Sequence, residues 1–416
     1  MYKKFRFIVN CINLFAAIFL AFSMILWEWM QQPALYLFYL SFLIEFFTDK
    51  KWENFKFERI SLWCFAVLLI YILAFLYIPF EQTSDYFLIV INNRFPLLAF
   101  AVIILFKVNN LFKLRYFLDT FIVTSLITIL YLALYRVGIY EFILSENRFD
   151  LFNSARIQWI NSHTVFNFYL NIAIISICYI LSLSWNKIKR WEKFYYFITS
   201  VIILLAISIS EGRSGFLMMI LIVIGFIFFE LYKRNKKVAL FIALLTPVFI
   251  LGLVSQKERF SNKVLENEPR LILWNTAFDI VKTAPFFGHG ISDSQNKFIE
   301  SLIQNQSKEF IINNLNNKIL DAHNQYLQSW MEFGVLGLFL LVFIYIFPIF
   351  IIEKKIQVFT FFLIATVMFQ SVFDVFLSGI FSGLFGFLMM IILAVPNNIT
   401  NEEMPVIKMN RSDMFE

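Results

Sequence analysis

The chain alternates long, unbroken apolar runs with short polar breaks. Stretches near the length a helix needs to cross a hydrocarbon core of about 30 Å recur from end to end. They predict spans at 8–27, 34–47, 60–80, 95–106, 116–135, 165–183, 194–209, 214–232, 238–254, 327–352, 356–373 and 375–395. The second and fourth are short, and the fourth can begin near Tyr86. The runs are continuously apolar rather than alternating, which selects helices over a closed barrel. Lys3, Lys4 and Arg6 precede the first run, as in a signal peptide. That run is too long for such a core and no small-residue cleavage site follows it, so it reads as a retained span.

The expected architecture is an all-α integral membrane protein with about twelve transmembrane helices. A bundle of about nine spans occupies 1–254, a large polar loop 255–326, further transmembrane helices 327–395, and a polar tail 396–416. Composition agrees: 60% of residues are hydrophobic, 19% aromatic and only 15% charged, against about a quarter charged in soluble domains. Cys11, Cys64 and Cys178 all fall inside apolar runs, which argues against a disulfide framework.

Charge then sets orientation. With a cytoplasmic N-terminus and an even number of spans, twenty Lys and Arg fall in the cytoplasmic segments between spans. Five fall in the short outer loops: Arg94, Arg136, Arg148, Arg156 and Arg213. The positive-inside rule therefore places both termini in the cytoplasm and the large loop outside. Arg213, the 255–326 loop and all three histidines (His163, His289 and His323) share the outer face. The net charge of +6 reflects these inter-span cations and gives no reason to expect a nucleic-acid partner.

Four polar features carry candidate chemistry. Arg213 lies in Ser210-Glu211-Gly212-Arg213-Ser214-Gly215, a tight turn at the start of a span. It is either an interfacial cation reaching lipid headgroups or an anion clamp. Its planar fork suits phosphate oxygens, and the helix N-terminus adds partial positive charge. Arg270 follows Pro269 at the start of a short amphipathic helix bearing Leu271, Trp274, Phe278 and Val281, too polar to span and expected along the membrane surface. A cation at that positive end is unfavourable unless it faces water or an anionic ligand. His289, in Pro285-Phe-Phe-Gly288-His289-Gly290, reads better as a turn residue than as a ligand contact. His323, in Asp321-Ala322-His323-Asn324-Gln325-Tyr326, opens directly onto the tenth span. A helix N-terminus there would lower its pKa and keep the imidazole neutral, as a general base requires. Asp321 or Asn324 could cap the helix or orient the ring; an interfacial histidine without a task is the alternative. His163, beside Asn161, Ser162 and Asn167, is a candidate on the acceptor side. Glu45 and Asp374 sit in or beside apolar runs and are expected to face the bundle interior, with no assigned role. No phosphate-binding loop, dinucleotide fingerprint or zinc spacing is present. An outward face also meets no nucleotide, so any activated group must arrive on a lipid.

Taken in order, Arg270-Leu-Ile-Leu-Trp274, Pro285-Phe-Phe-Gly288-His-Gly290, Ala322-His323-Asn324-Gln-Tyr326-Leu and Glu332-Phe-Gly334-Val-Leu-Gly337 resemble the O-antigen ligase and polymerase superfamily. The Arg213 turn resembles that family's other outer-loop arginine. The likeness covers roughly 211–340. It implies a metal-independent, inverting glycosyltransferase of helical C-type architecture, without cofactor, in the bacterial inner membrane with a periplasmic site. Its donor would be an undecaprenyl-pyrophosphate-linked glycan. A ligase would pass the glycan to a lipid A–core acceptor, a polymerase to a second carrier-linked repeat. By the same resemblance Arg213 and Arg270 would bind the pyrophosphate and His323 would assist the acceptor hydroxyl. The resemblance carries no role onto His289, which occupies a variable position of the Gly-x-Gly turn; read from the residues themselves, Asp321, Asn324, Trp274, His163 and His289 are candidates for supporting or acceptor-side positions. A transporter is the reading of another class; it predicts internal repeats and midplane polar groups, and neither is evident.

Overall fold

The computed structural model describes residues 2–26, 28–77, 85–138, 152, 163–242, 244, 246, 269–305, 321–377 and 380–395. These are helical nearly throughout. The first five helices are α1 (Tyr2–Leu26), α2 (Glu28–Thr48), α3 (Arg59–Leu76), α4 (Asp85–Phe106) and α5 (Leu114–Tyr131), the last prolonged by a π-helical turn, Leu132–Gly138. Then come α6 (His163–Ser184), α7 (Arg190–Ser208), α8 (Arg213–Arg234), α9 (Pro269–Thr283), α10 (Ile291–Asn305), α11 (Gln325–Ile351), α12 (Lys354–Gln370) and α13 (Ile380–Leu393).

Eight helices among the described residues are long and apolar enough to cross a membrane. They coincide with eight of the twelve predicted runs. The second, eleventh and twelfth runs lie on α2, α12 and α13, while most of 238–254 falls outside the described residues, as do 255–268, 306–320 and the tail. The short second run is corrected: α2 begins at Glu28 and carries Pro33 within it. The fourth takes the longer of its two readings, with a start near Tyr86: α4 begins at Asp85 and takes in the polar Asn92-Asn93-Arg94 step. Arg94 therefore does not lie in an outer loop; it is buried within α4 and paired with Glu332. Arg136 belongs to the π-helical turn, and Arg148 and Arg156 lie outside the described residues.

α4 and α13 run side by side. A Cβ on Gly386 would come within 2.6 Å of the Phe100 ring, and the Ser382 hydroxyl donates to the Asn93 carbonyl. α4 continues eight residues beyond Asn93 to Asp85. α13 begins two residues before Ser382, so at 1.5 Å per residue it starts about 9 Å short of that end of α4. The 371–377 turn that precedes α13 is accordingly set back within the bundle.

The largest departure from expectation is in α11. The tenth run reads as one straight span, but Gly334 has φ 65° and ψ −158°, and the helix doubles back there. A straight helix would hold Tyr326 and Tyr345 about 28 Å apart; their ring centroids are 6.4 Å apart. Ser371 touches both arms, accepting the Gln325 N–H (2.8 Å) and pairing with the Tyr345 hydroxyl (2.8 Å). Residues 325–333 are therefore a re-entrant arm, and 335–351 form the crossing part. Only glycine tolerates this backbone region, and a Cβ at Gly334 would also meet the Phe286 carbonyl oxygen at 2.2 Å.

The Pro285–Gly290 turn locks onto that bend. His289 N–H donates to the Met331 carbonyl (2.8 Å), Gly290 N–H to that of Glu332 (2.8 Å), and Val335 N–H to that of Pro285 (3.0 Å). The motif's glycines thus serve backbone approach: a Cβ on Gly288 would lie 2.5 Å from Gly334 N. α9, α10 and the re-entrant arm share a small core of Leu273, Ala277, Ile280, Val281, Phe298, Leu302, Ala322 and Met331. The amphipathic face expected for α9 is corrected: Leu271 and Phe278 are exposed, and the buried face is centred on Leu273, Ala277 and Ile280. α9 packs against the α11 arm, with Leu271, Phe278, Phe286 and Phe287 left as an outward apolar fringe. As expected, Glu45 is fully buried; it meets Lys51, Asn13 and, at 2.9 Å, the Asn109 amide.

Candidate active site

Asn324 caps the re-entrant arm, its Oδ1 accepting the N–H groups of Tyr326 (2.9 Å) and Leu327 (3.0 Å). Two of the orphan donors at the helix start are thereby satisfied. One residue earlier, His323 takes a left-handed backbone (φ 42°), uncommon for a residue with a Cβ. Asp321 holds it there, accepting the His323 N–H at 2.8 Å. Of the two capping candidates, then, Asn324 caps and Asp321 turns the chain so that the imidazole projects from the arm's end. The ring remains about half exposed, at 48%.

Asp374 arrives from the set-back turn. Gln325 fastens this turn twice: its N–H donates to Ser371 O and its Oε1 accepts Leu377 N–H (2.6 Å). His323 Nδ1 consequently lies 3.5 Å from Asp321 Oδ1 and 3.9 Å from Asp374 Oδ1. At these lengths the contacts act through charge more than as hydrogen bonds. Asp374 above all, and then Asp321, raise the His323 pKa above the ordinary histidine range; burial and Arg270 oppose them. The expectation of a lowered pKa is thus corrected, because two carboxylates outweigh burial and Arg270. Burial also pushes the Asp321 carboxyl up, against the pull of His323.

The two arginines converge on the same place. Arg270 and Trp274 stand one turn apart on α9, hence on one face. Trp274 Nε1 reaches the His323 carbonyl (3.5 Å) and its ring lies 6.2 Å from Phe373. α9 is thereby pinned to both the His323 turn and the Asp374 turn, and the Arg270 charge acts on His323. From the other side, α6 and α8 approach closely: Cβ atoms at Gly212 and Gly215 would each come within 2.3 Å of Asn167. Asn171 Nδ2 donates to Gly215 O at 3.0 Å. This contact sets His163, in the first turn of α6, against the Arg213 turn. Glu211, Arg270, Asp374 and Arg213 are all close enough for their charges to act on the His163 ring.

Arg213, Arg270, His163, His323, Asp321 and Asp374 therefore form one cluster from five separate segments. His289 stands apart from it. Its Nε2 meets Thr283 Oγ1 (2.7 Å) and the Ile280 carbonyl (3.3 Å), and its Nδ1 meets Lys297 Nζ (2.9 Å). Burial first, then Lys297, lowers its pKa. It ties the end of α9 to α10, in keeping with a turn residue. Among the described residues no three His, Cys, Asp or Glu side chains gather to hold a metal ion. The groups suited to an anionic ligand are Arg213 and Arg270. Asp374 was visible in sequence only as a costly charge beside an apolar run; its partner lies fifty-one residues away and no local spacing links them.

Geometry and topology define a polytopic, all-helical membrane protein with a charged cluster where its helices end. Comparison with known proteins shows what part of it is similar to. Residues 198–342 match the family model described as O-Antigen ligase. That segment contains Arg213, Arg270, Trp274, His289, Asp321, His323 and Asn324; His163 and Asp374 lie outside it. A Haemophilus influenzae protein, described as uncharacterized, is 26% identical over 211 residues, covering 46% of this chain and 51% of that one. Proteins of Rickettsia prowazekii and Rickettsia typhi, each provisionally named a polysaccharide ligase, are 28% identical over 149 and 152 residues. These matches cover 34% of this chain and 36% of each rickettsial protein. The chain thus spans about half the length, or less, of the curated relatives it matches.

Proposed function

We propose that the protein is a periplasm-facing glycosyltransferase of the ligase type, moving a glycan from an undecaprenyl-pyrophosphate carrier to a lipid A–core or similar acceptor. One observation carries this reading: the charges of two arginines from different helices both reach His163, and one of them, Arg270, also reaches His323, which is backed by carboxylates. Pyrophosphate leaves readily once its developing charge is held, and preorganised guanidinium groups can hold it. Arg213 and Arg270 have that role. With Nδ1 directed at Asp321 and Asp374, the His323 ring keeps Nε2 for the acceptor.

The acceptor hydroxyl gives its proton to Nε2 as its oxygen bonds to the anomeric carbon. The bond from that carbon to the pyrophosphate oxygen breaks, and the carrier pyrophosphate departs with the electron pair. Attack opposite the leaving group inverts the centre. The neighbouring carboxylates stabilise the imidazolium formed, and His163 lines the acceptor side. Names of the rickettsial relatives support ligase over polymerase.

The test offers purified, lipid-embedded protein a carrier-linked glycan with either lipid A–core or a second carrier-linked repeat. Transfer to lipid A–core is expected. Chain growth on the carrier alone would make the protein a polymerase using the same cluster.

A further inference from the structure

We propose that Arg94, Glu332 and Gln328 form a positioning relay that sets the His323 turn from inside the bundle. Glu332 is fully buried on the re-entrant arm and Arg94 is 5% exposed on α4; Arg94 Nη2 lies 2.7 Å from Glu332 Oε1. The same oxygen accepts Gln328 Nε2 (2.8 Å), one turn back along the arm. Gln328 is buried, and its Oε1 accepts the N–H of Ala322 (3.3 Å), the residue before His323. An unbroken path therefore runs from a membrane-buried cation to the backbone that aims the imidazole. Glu332 also accepts the Gly290 N–H through its carbonyl, so one residue fixes both the bend and the arm.

A buried ion pair is weak evidence for stability, because an apolar replacement of similar volume is often as stable. What such a pair supplies is register. The arm needs it: residues 325–333 double back at a glycine and lack the continuous apolar face that seats a straight span. An arm turned or slid by an ångström would move His323 away from Asp321 on its own turn, Asp374 on the 371–377 turn and Arg270 on α9. Misplacement on that scale costs on the order of a hundredfold in rate.

The role assigned to His323 rests on the proposed function, but its position can be read without activity. The chain has three histidines, so ring resonances of histidine-labelled protein in nanodiscs can be followed by NMR, with His323→Gln identifying the relevant one. Gln328→Met breaks the relay at near-constant volume and leaves Arg94 with Glu332. Arg94→Lys keeps the charge and shortens its reach. The relay predicts that the His323 titration midpoint falls in Gln328→Met, and by less in Arg94→Lys, while His289 titrates as before. It also predicts a kcat for glycan transfer about tenfold lower in Gln328→Met, with the donor KM unchanged. A variant that fails to melt cooperatively is set aside and the other decides. An unchanged midpoint in a folded variant overturns the relay. A shifted midpoint in a protein that transfers no glycan upholds the relay and rejects the proposed function instead.

Discussion

At the scale of the residue, the account turns on the company His323 keeps. A pKa raised by Asp374 and Asp321 means that the ring holds its proton to higher pH than an ordinary histidine. A base must be neutral to accept a proton, so the acid limb of the pH–rate profile should lie above the usual value of about 6.5. Asp374→Asn removes the larger contribution. It should move that limb to lower pH and reduce kcat about tenfold or more, since the imidazolium loses its partner. A pH series of initial rates for both proteins checks this; a limb that stays in place would remove Asp374 from the mechanism. Stability follows the same sign. The contribution of protonated His323 is full below its unfolded-state pKa and is lost as pH rises through the higher folded value. His323 itself was legible in sequence, from its histidine–asparagine step before an apolar run. Its protonation was not, because Asp374 joins it only through the fold.

At the scale of the element, the helices were legible and their bends were not. Continuous apolar runs marked nearly every described span, and Pro269 marked the start of α9. The same apolar continuity concealed the reversal in α11, since Val335, Leu336 and Phe339 extend the run as though no turn preceded them. The signal was Gly334 together with the polar positions Gln325, Gln328, Ser329 and Glu332 on the arm before it. Those residues are buried against other protein, which a lipid-facing span would not permit. Gly334→Ala tests the bend. A Cβ there meets backbone at 2.2 Å in a left-handed conformation, so the cost should be at least about 1–3 kcal/mol. A lowered melting temperature and lost transfer are expected; an unaffected protein would show that the reversal is not required. The α9 face was misjudged for a related reason. Helical spacing identified apolar positions on more than one side, and only the packing of α10 and the α11 arm decides which side is buried.

At the scale of the whole molecule, sidedness is the claim most exposed to test. Arg213, Arg270 and His323 share a cluster with the ends of α6 and α8, while the cations Lys51, Lys56 and Lys107 line a cavity of about 390 Å³ near the opposite ends of α1 and α4. By the positive-inside rule the cation-rich side is expected to be cytoplasmic. In a background lacking Cys11, Cys64 and Cys178, a membrane-impermeant thiol reagent added outside should label Phe287→Cys, which is 76% exposed. It should label Lys56→Cys only after the membrane is opened. The reverse pattern would invert the topology and remove the periplasmic site.

The most direct test of the central claim is transfer from a carrier-pyrophosphate-linked glycan by purified protein in lipid, with donor binding followed in parallel. Wild type, Arg213→Ala, Arg270→Ala and His323→Ala are compared. The account predicts that His323→Ala binds donor normally and transfers at less than about one-hundredth of the wild-type rate, while each arginine variant loses donor affinity as well as rate. Full transfer by a folded His323→Ala protein would contradict it.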